Sequence, residues 1–148
     1  MKKIKTVLTA IAMLLVVSSF ASDGSKVSAK VQAAFQHDFS QATQVNWEAI
    51  SDFYFASFQL NGISVESAYN NGGELVGTSR KIDIDQVPMA VSLELAKKYG
   101  DYTIASHAYE LNFEGQTSYY VNVQDNKQLL SLKCESNGEI SVEKRARK

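Results

Sequence analysis

Metal binding or nucleophilic attack in this 148-residue chain would have to come from His37, His107, Cys134 and the acidic pair Asp83 and Asp85 of the IDID step. Each lacks the company its chemistry needs. Metal sites are built from clustered His, Cys or carboxylate ligands at short spacing, whereas His37 stands alone at the end of a helical segment and His107 alone in a strand-like one. His37 reads as a cation favoured by the helix dipole, and His107 as a half-exposed strand residue. A calcium loop needs several more oxygen donors in fixed order than Asp83 and Asp85 supply. The chain has no G-x-S-x-G step, phosphate-binding loop or dinucleotide fingerprint, and no plausible base neighbours Cys134. These residues point away from an enzyme and imply neither a metal nor a cofactor.

A different chemistry, that of contact surfaces, is visible in the alternation of YFASF and its counterpart. If Tyr54, Ala56 and Phe58 pack on a helix, then Phe53, Phe55, Ser57 and Gln59 lie on the opposite face of the strand. The corresponding outer set later in the chain is Tyr120, Asn122 and Gln124. Both sets put an aromatic ring beside small polar and amide side chains, the mixture that protein interfaces favour at their centres. The candidate partner-binding residues are therefore Phe53, Phe55, Gln59, Tyr120, Asn122 and Gln124. A second use for the same rings, as cross-strand pairs or a small second core, stands beside this one.

The elements that position these residues follow from an internal repeat. YNNGGELV (69–76) and CESNGEIS (134–141) turn a corner with the same Gly-Glu-aliphatic step, 65 residues apart. In that register Tyr54, Ala56 and Phe58 fall on Tyr119, Val121 and Val123, and Tyr69 falls on Cys134. Upstream, Val27, Val31, Phe35 and Phe39 fall on Val87, Val91, Leu95 and Tyr99 with an offset of 60, each series stepping by four as one stripe of a helix does. The five extra residues of the second copy belong in a loop.

Each copy reads as one helix followed by about four strands, over repeats 26–83 and 87–146. The first helix is predicted over Val27 to Asp38, with strands near Gln44 to Ala49, Phe53 to Leu60, Ile63 to Asn70 and Glu74 to Arg80. Asn61-Gly62 is a two-residue hairpin signal, because a type I′ turn needs positive φ at both central positions. The second helix is expected to begin on Pro88, the chain's one proline. Its strands are expected near Tyr102 to Leu111, Ser118 to Gln124, Gln128 to Cys134 and Glu139 to Lys144. One such unit leaves strand edges open, and two side by side extend one sheet. The fold class is therefore α+β, a tandem repeat forming one extended antiparallel sheet with both helices on one face. Cys134 alternates with Leu130 and Leu132 and is placed on the packed face as a small hydrophobe.

At the N-terminus, Lys2, Lys3 and Lys5 precede the apolar run Val7 to Val17 and the small-x-small site Ser19-Phe20-Ala21, the layout of a secretory signal peptide over residues 1–21. As a helix the run would span about 16 Å, roughly half of a bilayer's hydrocarbon core, so a permanent membrane anchor is not expected. Removing those 21 residues with their three lysines leaves 127 residues and a formal charge of −4. That length suits one domain, 22–148. The balance is mildly acidic, with no basic stripe to track phosphates, so no nucleic-acid partner is expected. The cationic tail KRARK reads as a solvated terminus. With one cysteine in an exported chain, an internal disulfide is impossible.

The sequence of elements, with the Val45-Asn46-Trp47 strand, YFASF, the NG turn, AYNNGGEL and then VPMAVSLELAKKYGDY, resembles the PepSY-like, beta-lactamase-inhibitor-like proteins of bacterial envelopes. The resemblance covers essentially the whole of residues 22–148 and carries no catalytic signature. It implies a tandem repeat with helices on one side of a concave sheet, in the periplasm or secreted, and related inhibitor proteins grip a protein partner with that concave sheet. The second copy departs from the first where Trp47 is answered by Tyr109 or its neighbour and Asn61-Gly62 by Asn126-Lys127. The expected function is an exported non-enzymatic binding module for a protein or peptide, with inhibition as one outcome. The alternatives are a carrier of a small apolar ligand and a structural envelope component. The exported protein is expected to begin at Ser22, which its intact mass will show; a soluble form retaining Met1 would contradict the leader.

Overall fold

A computed structural model describes residues 27–148, and the leader read over residues 1–21 lies outside the described residues. The elements follow the order α1 (Ala29–Asp38), β1 (Thr43–Ile50), β2 (Phe53–Leu60), β3 (Ile63–Asn70), β4 (Leu75–Asp83), a 3₁₀ turn (Ile84–Gln86), α2 (Met89–Lys98), β5 (Thr103–Phe113), β6 (Gln116–Gln124), β7 (Gln128–Glu135) and β8 (Ile140–Arg147). Strand order equals chain order in an eight-stranded sheet. The described residues divide into two compact units, 27–80 and 81–148. Among the described residues no helix is long and apolar enough to cross a membrane.

In the first unit α1 starts where Ser28 caps it, its Oγ accepting from the Val31 N–H at 3.3 Å. Such a cap satisfies one of the N–H groups that a helix start leaves without a partner. The four-step stripe then places Val31 and Phe35 against Ala56 and Phe58 of β2 and Tyr69 of β3, with Trp47 of β1 packed beside them. Phe35 is the hub. Its ring centroid lies 5.1 Å from those of Trp47 and Phe58 and 6.4 Å from that of Tyr69, all edge-on, the geometry that aromatic quadrupoles prefer. The Tyr69 hydroxyl, sealed in this core, donates to Asp38 Oδ2 at 2.9 Å and so ties the end of α1 to β3.

In the second unit Pro88 has a non-helical ψ of 146° and serves as the N-cap, so α2 begins one residue later than the sequence suggested, at Met89. A proline in this place surrenders no helical hydrogen bond, since its absent N–H would have had no partner. Val91 and Leu95 pack against Ala108 of β5, Val121 and Val123 of β6 and Leu130, Leu132 and Cys134 of β7. Cys134 is fully buried there, and burial pushes its thiol up to about 11. Trp47 pairs with Ala56 in β1–β2 just as Ala108 pairs with Val121 in β5–β6, so the position answering Trp47 holds an alanine. Tyr99 and Tyr102, at 5.4 Å, pack beside this core instead.

The repeated Gly-Glu step has a steric cause in each unit. Gly73 has φ +77°, and a Cβ on it would come within 3.3 Å of the Lys30 carbonyl oxygen of α1; Gly138 has φ +95°, and a Cβ there would meet the Ala90 carbonyl oxygen of α2 at 2.9 Å. Each turn thus needs both the left-handed backbone and the missing side chain to pass its helix. The cationic tail differs from expectation. Lys144 to Arg147 continue β8 in register with β7, because ladder hydrogen bonds satisfy the backbone while the charged side chains stay in water.

Phe35→Ala and Leu95→Ala are each expected to destabilise the protein by about 2 to 5 kcal/mol. Gln36→Ala and Lys97→Ala, on the exposed side of the same helices, are expected to stay within about 0.5 kcal/mol. Denaturant unfolding checks both, and equal losses at the two kinds of site would overturn the packing described.

Candidate functional site

The strand face turned away from the helix is built by the same alternation that fills the core. In the first unit Phe53, Phe55, Ser57 and Gln59 of β2 stand opposite Asn70, Ala68, Glu66 and Ser64 of β3. Glu48 of β1 pairs with Phe55, and Gly77 and Ser79 of β4 pair with Ala68 and Glu66. None of these residues belongs to the helix-side cluster. Phe53 and Gln59 are half-buried, and the Gln59 amide donates to Ser64 Oγ at 2.7 Å. Phe55 is only 3% exposed.

In the second unit Tyr120 stands between Tyr109 of β5 and Lys133 of β7, Asn122 opposite Ser131, and Gln124 between Thr103 and Leu129. Tyr120 is 7% exposed, while Asn122 and Gln124 are open to solvent. Burial, with the charges of Glu143 and Glu135 adding to it, pushes the Tyr120 phenol up to about 12. Leu111, 1% exposed, and Phe113 of β5 lie on the same side as Tyr120 and outside the helix-side cluster. Both helix-free faces therefore carry rings and aliphatic side chains withdrawn from solvent at their centres and amides toward their margins.

The sequence reading missed one group on this face. Glu66 sits mid-strand, its Oε1 accepting from Ser57 Oγ at 3.3 Å, while its Oε2 is buried with no hydrogen-bond partner. Ser79 Oγ, directly across on β4, is likewise buried and unpartnered. Desolvation by burial is the largest cause raising the Glu66 carboxyl to about 7, opposed by the Ser57 hydrogen bond and reinforced by the charge of Glu48. In the second unit Glu135 of β7 accepts from Ser118 Oγ of β6 at 3.0 Å and from Lys133 Nζ at 2.8 Å, at the repeat position of Asn70, while Ser131 stands in the place of Glu66. Those two hydrogen bonds, the lysine's first, hold the Glu135 carboxyl below its usual range. The signal for Glu66 was legible as an acid at the centre of a strand whose neighbours alternate with apolar residues.

The histidines do not join this face as a metal site. His37, exposed in the last turn of α1, contacts Asp38 Oδ1 at 3.1 Å, and His107 contacts Asp83 Oδ1 at 3.0 Å. Among the described residues no group of three or more His, Cys, Asp or Glu side chains is placed to share an ion. Asp83 instead begins the 3₁₀ turn, its N–H donating to Gln86 Oε1 at 2.8 Å.

No protein-family profile and no curated protein matches the chain. Solved structures do. A DUF2874 family protein from Bacteroides uniformis superposes with a TM-score of 0.70 at 21% identity, over 82% of this chain and 89% of its own. A BLIP-like protein from Bacteroides fragilis gives 0.66 at 20% identity, over 85% and 92%. A protein from Bacteroides eggerthii described as periplasmic gives 0.71 at 21%, over 82% and 88%. At these identities the likeness is one of fold.

Because the folded carboxyl of Glu66 lies near 7 against an ordinary 4.5, the native state holds a proton that the unfolded chain has released between those values. Stability from this group is fully present below about pH 4.5 and is lost as pH rises through about 7. Glu66→Gln should remove that fall. The wild type is expected to lose about 2 kcal/mol relative to the variant across the window, after allowing for residual solvent contact. Unfolding midpoints of both proteins at several pH values test this, and a difference that does not vary with pH would contradict it.

Proposed function

We propose that this chain is an exported, non-enzymatic binding module that engages a protein or peptide through the helix-free face of its strands. The observation that carries the reading is the parity of β2 and β6. One set of alternating residues is consumed by packing against α1 or α2, and the other presents Phe53 and Phe55 or Tyr120 beside Ser57, Gln59, Asn122 and Gln124. A partner would meet the half-buried Phe53 and Gln59 and the exposed Asn122 and Gln124, an aromatic ring beside amides, over the already buried Phe55 and Tyr120.

The succession of a helix and four strands, twice over, supports the tandem PepSY-like reading. The neighbouring folds, one BLIP-like and one described as periplasmic, agree with a module outside the cytoplasm, as does the leader pattern. Gripping and inhibiting a protein partner is the use this reading favours. A carrier of apolar ligands needs an open space between helix and strands, and in the first unit that space holds the Phe35 ring in contact with three others of β1, β2 and β3.

A photo-reactive phenylalanine analogue placed at Phe53 or at Asn122 is expected to crosslink a protein of the native cell envelope, and the same group at Lys97 on α2 is expected to give no adduct. For the captured partner, Phe55→Ser with Tyr120→Ser should weaken affinity by about 2 kcal/mol or more. Unfolding midpoints are measured alongside, since truncating buried rings destabilises by about 3 to 5 kcal/mol. Adducts confined to Lys97, or an unchanged affinity in a folded double variant, would move the site to the helix side.

A further inference from the structure

The second unit ends on a strand with one open edge. Strand order finishes at β8, which among the described residues pairs only with β7. Beyond the register shift between Ser131 and Leu132, Lys144 to Arg147 run beside Ser131 to Gln128 without a break. The Lys148 N–H donates to the Lys127 carbonyl at 3.0 Å, so antiparallel alternation turns the N–H and C=O groups of Arg145 and Arg147 outward, away from β7. Every residue from Ser141 to Arg147 is exposed, Val142 to 43%. An accessible edge of this kind is a template for a further strand.

The chemistry of that edge is cationic. Four of the five residues 144–148 are Lys or Arg, in a chain whose formal charge is −1. Lys97 and Lys98 of α2 are answered by Glu94 at 3.9 and 3.3 Å, and Lys133 of β7 by Glu135 at 2.8 Å. Among the described residues Lys144, Arg145 and Arg147 form no ion pair. The ladder holds them in two rows, Lys144 opposite Ser131 on the side of Asn122, and Arg145 and Arg147 opposite Leu130 and Gln128 on the other side. A neutral strand laid on this edge would take water from the charges without answering them, and a basic one would be repelled; an acidic strand meets neither cost. β1, at the other end of the strand order, is unlike β8. Gln44 at φ 54° and the register shift between Thr43 and Asn46 interrupt its ladder, and its one charged residue is Glu48.

We propose that β8 is a docking edge for an acidic extended segment of a protein partner, added as a further strand with carboxylates opposite Lys144 on one face and opposite Arg145 and Arg147 on the other. Residues directly opposite each other on paired strands share a face, so the segment carries acids at neighbouring positions of both parities and an apolar residue opposite Val142. Main-chain hydrogen bonds supply affinity and the charges choose the partner. The inference goes beyond the binding-face reading and does not depend on it, because it uses the rim of β8 and not the faces of β2 and β6.

The test is a two-dimensional NMR titration of the isotopically labelled exported protein at low salt, where exposed charges are least screened. The first probe is acetyl-Glu-Thr-Glu-Glu-Thr-Val-Thr-amide, which in antiparallel register sets its acids opposite Arg147, Arg145 and Lys144. The second has glutamine for each glutamate, and the third is the acidic peptide N-methylated at each glutamate, which keeps the charge and removes strand donors. The acidic peptide is expected to shift the amides of Val142 to Arg147 and to bind at least about tenfold more tightly than either of the others. It should also slow hydrogen exchange of the Arg145 and Arg147 amides by about tenfold or more. Lys144→Gln, Arg145→Gln and Arg147→Gln together should abolish the preference while the unfolding midpoint shows the fold intact. If the glutamine peptide binds as tightly as the acidic one, the assignment of an acidic partner is wrong. If the N-methylated peptide does, the cations hold anions of any kind, a lipid headgroup or a nucleic acid included, and strand addition is wrong. Shifts confined to Phe53, Gln59, Asn122 and Gln124 would put the peptide on the helix-free face and overturn the edge assignment. If no probe moves a β8 amide, the cations only guard the edge and the inference fails, while the binding-face reading keeps its own test.

Discussion

A β-strand has two faces, and in each unit a single helix claims one of them. Phe35 wedged among Trp47, Phe58 and Tyr69, and Leu95 set into the cluster that holds Val121, Leu132 and Cys134, fix which residues those are. Once β2 gives Ala56 and Phe58 to the helix, Phe55 and Ser57 can only point the other way. A slip of one residue would exchange the two sets and put Ser57 and Glu66 under Phe35, so the core enforces the register on which the exposed chemistry depends. The glycine turns serve the same constraint, since Gly73 and Gly138 let the third hairpin corner pass close against the helix backbone of its unit.

Much of this was legible in the residues because the controlling signals are local. Asn61-Gly62, with φ 52° and 78°, ends β2 and starts β3 where the turn chemistry says it must, and both strands match their predicted bounds. The four-step stripes named the fully buried residues of both helices, Val31 and Phe35 of α1 and Val91 and Leu95 of α2. The boundaries that drifted did so where a neighbouring element decides them. β5 runs on to Phe113 because Glu114 and Gly115, both at positive φ, make the turn there, and β8 absorbs the cationic tail because β7 offers it a ladder.

The site was legible by halves. Parity put Phe53, Phe55, Gln59, Tyr120, Asn122 and Gln124 on one side of their strands, but burial is not written in parity, and Phe55 and Tyr120 turn out to be withdrawn from solvent while Asn122 and Gln124 are not. The contact of Ser57 with Glu66 follows from the hairpin's two-residue turn. The apposition of Glu66 and Ser79 does not, because the β3–β4 register shifts between Ala68 and Tyr69 and no sequence rule fixes that shift.

Among the described residues the most exposed large apolar side chains, Met89 at 72% and Leu93 at 63%, make the outer side of α2 a rival surface. Hydroxyl-radical footprinting of the exported protein, with and without its native envelope fraction, weighs the two surfaces in one experiment because Met, Tyr and Phe are all reactive. Protection is expected at Phe53, the ring of the strand face that solvent reaches, with Met89 and Leu93 unchanged. Protection at Met89 and Leu93 with Phe53 unchanged would contradict binding at the strand face.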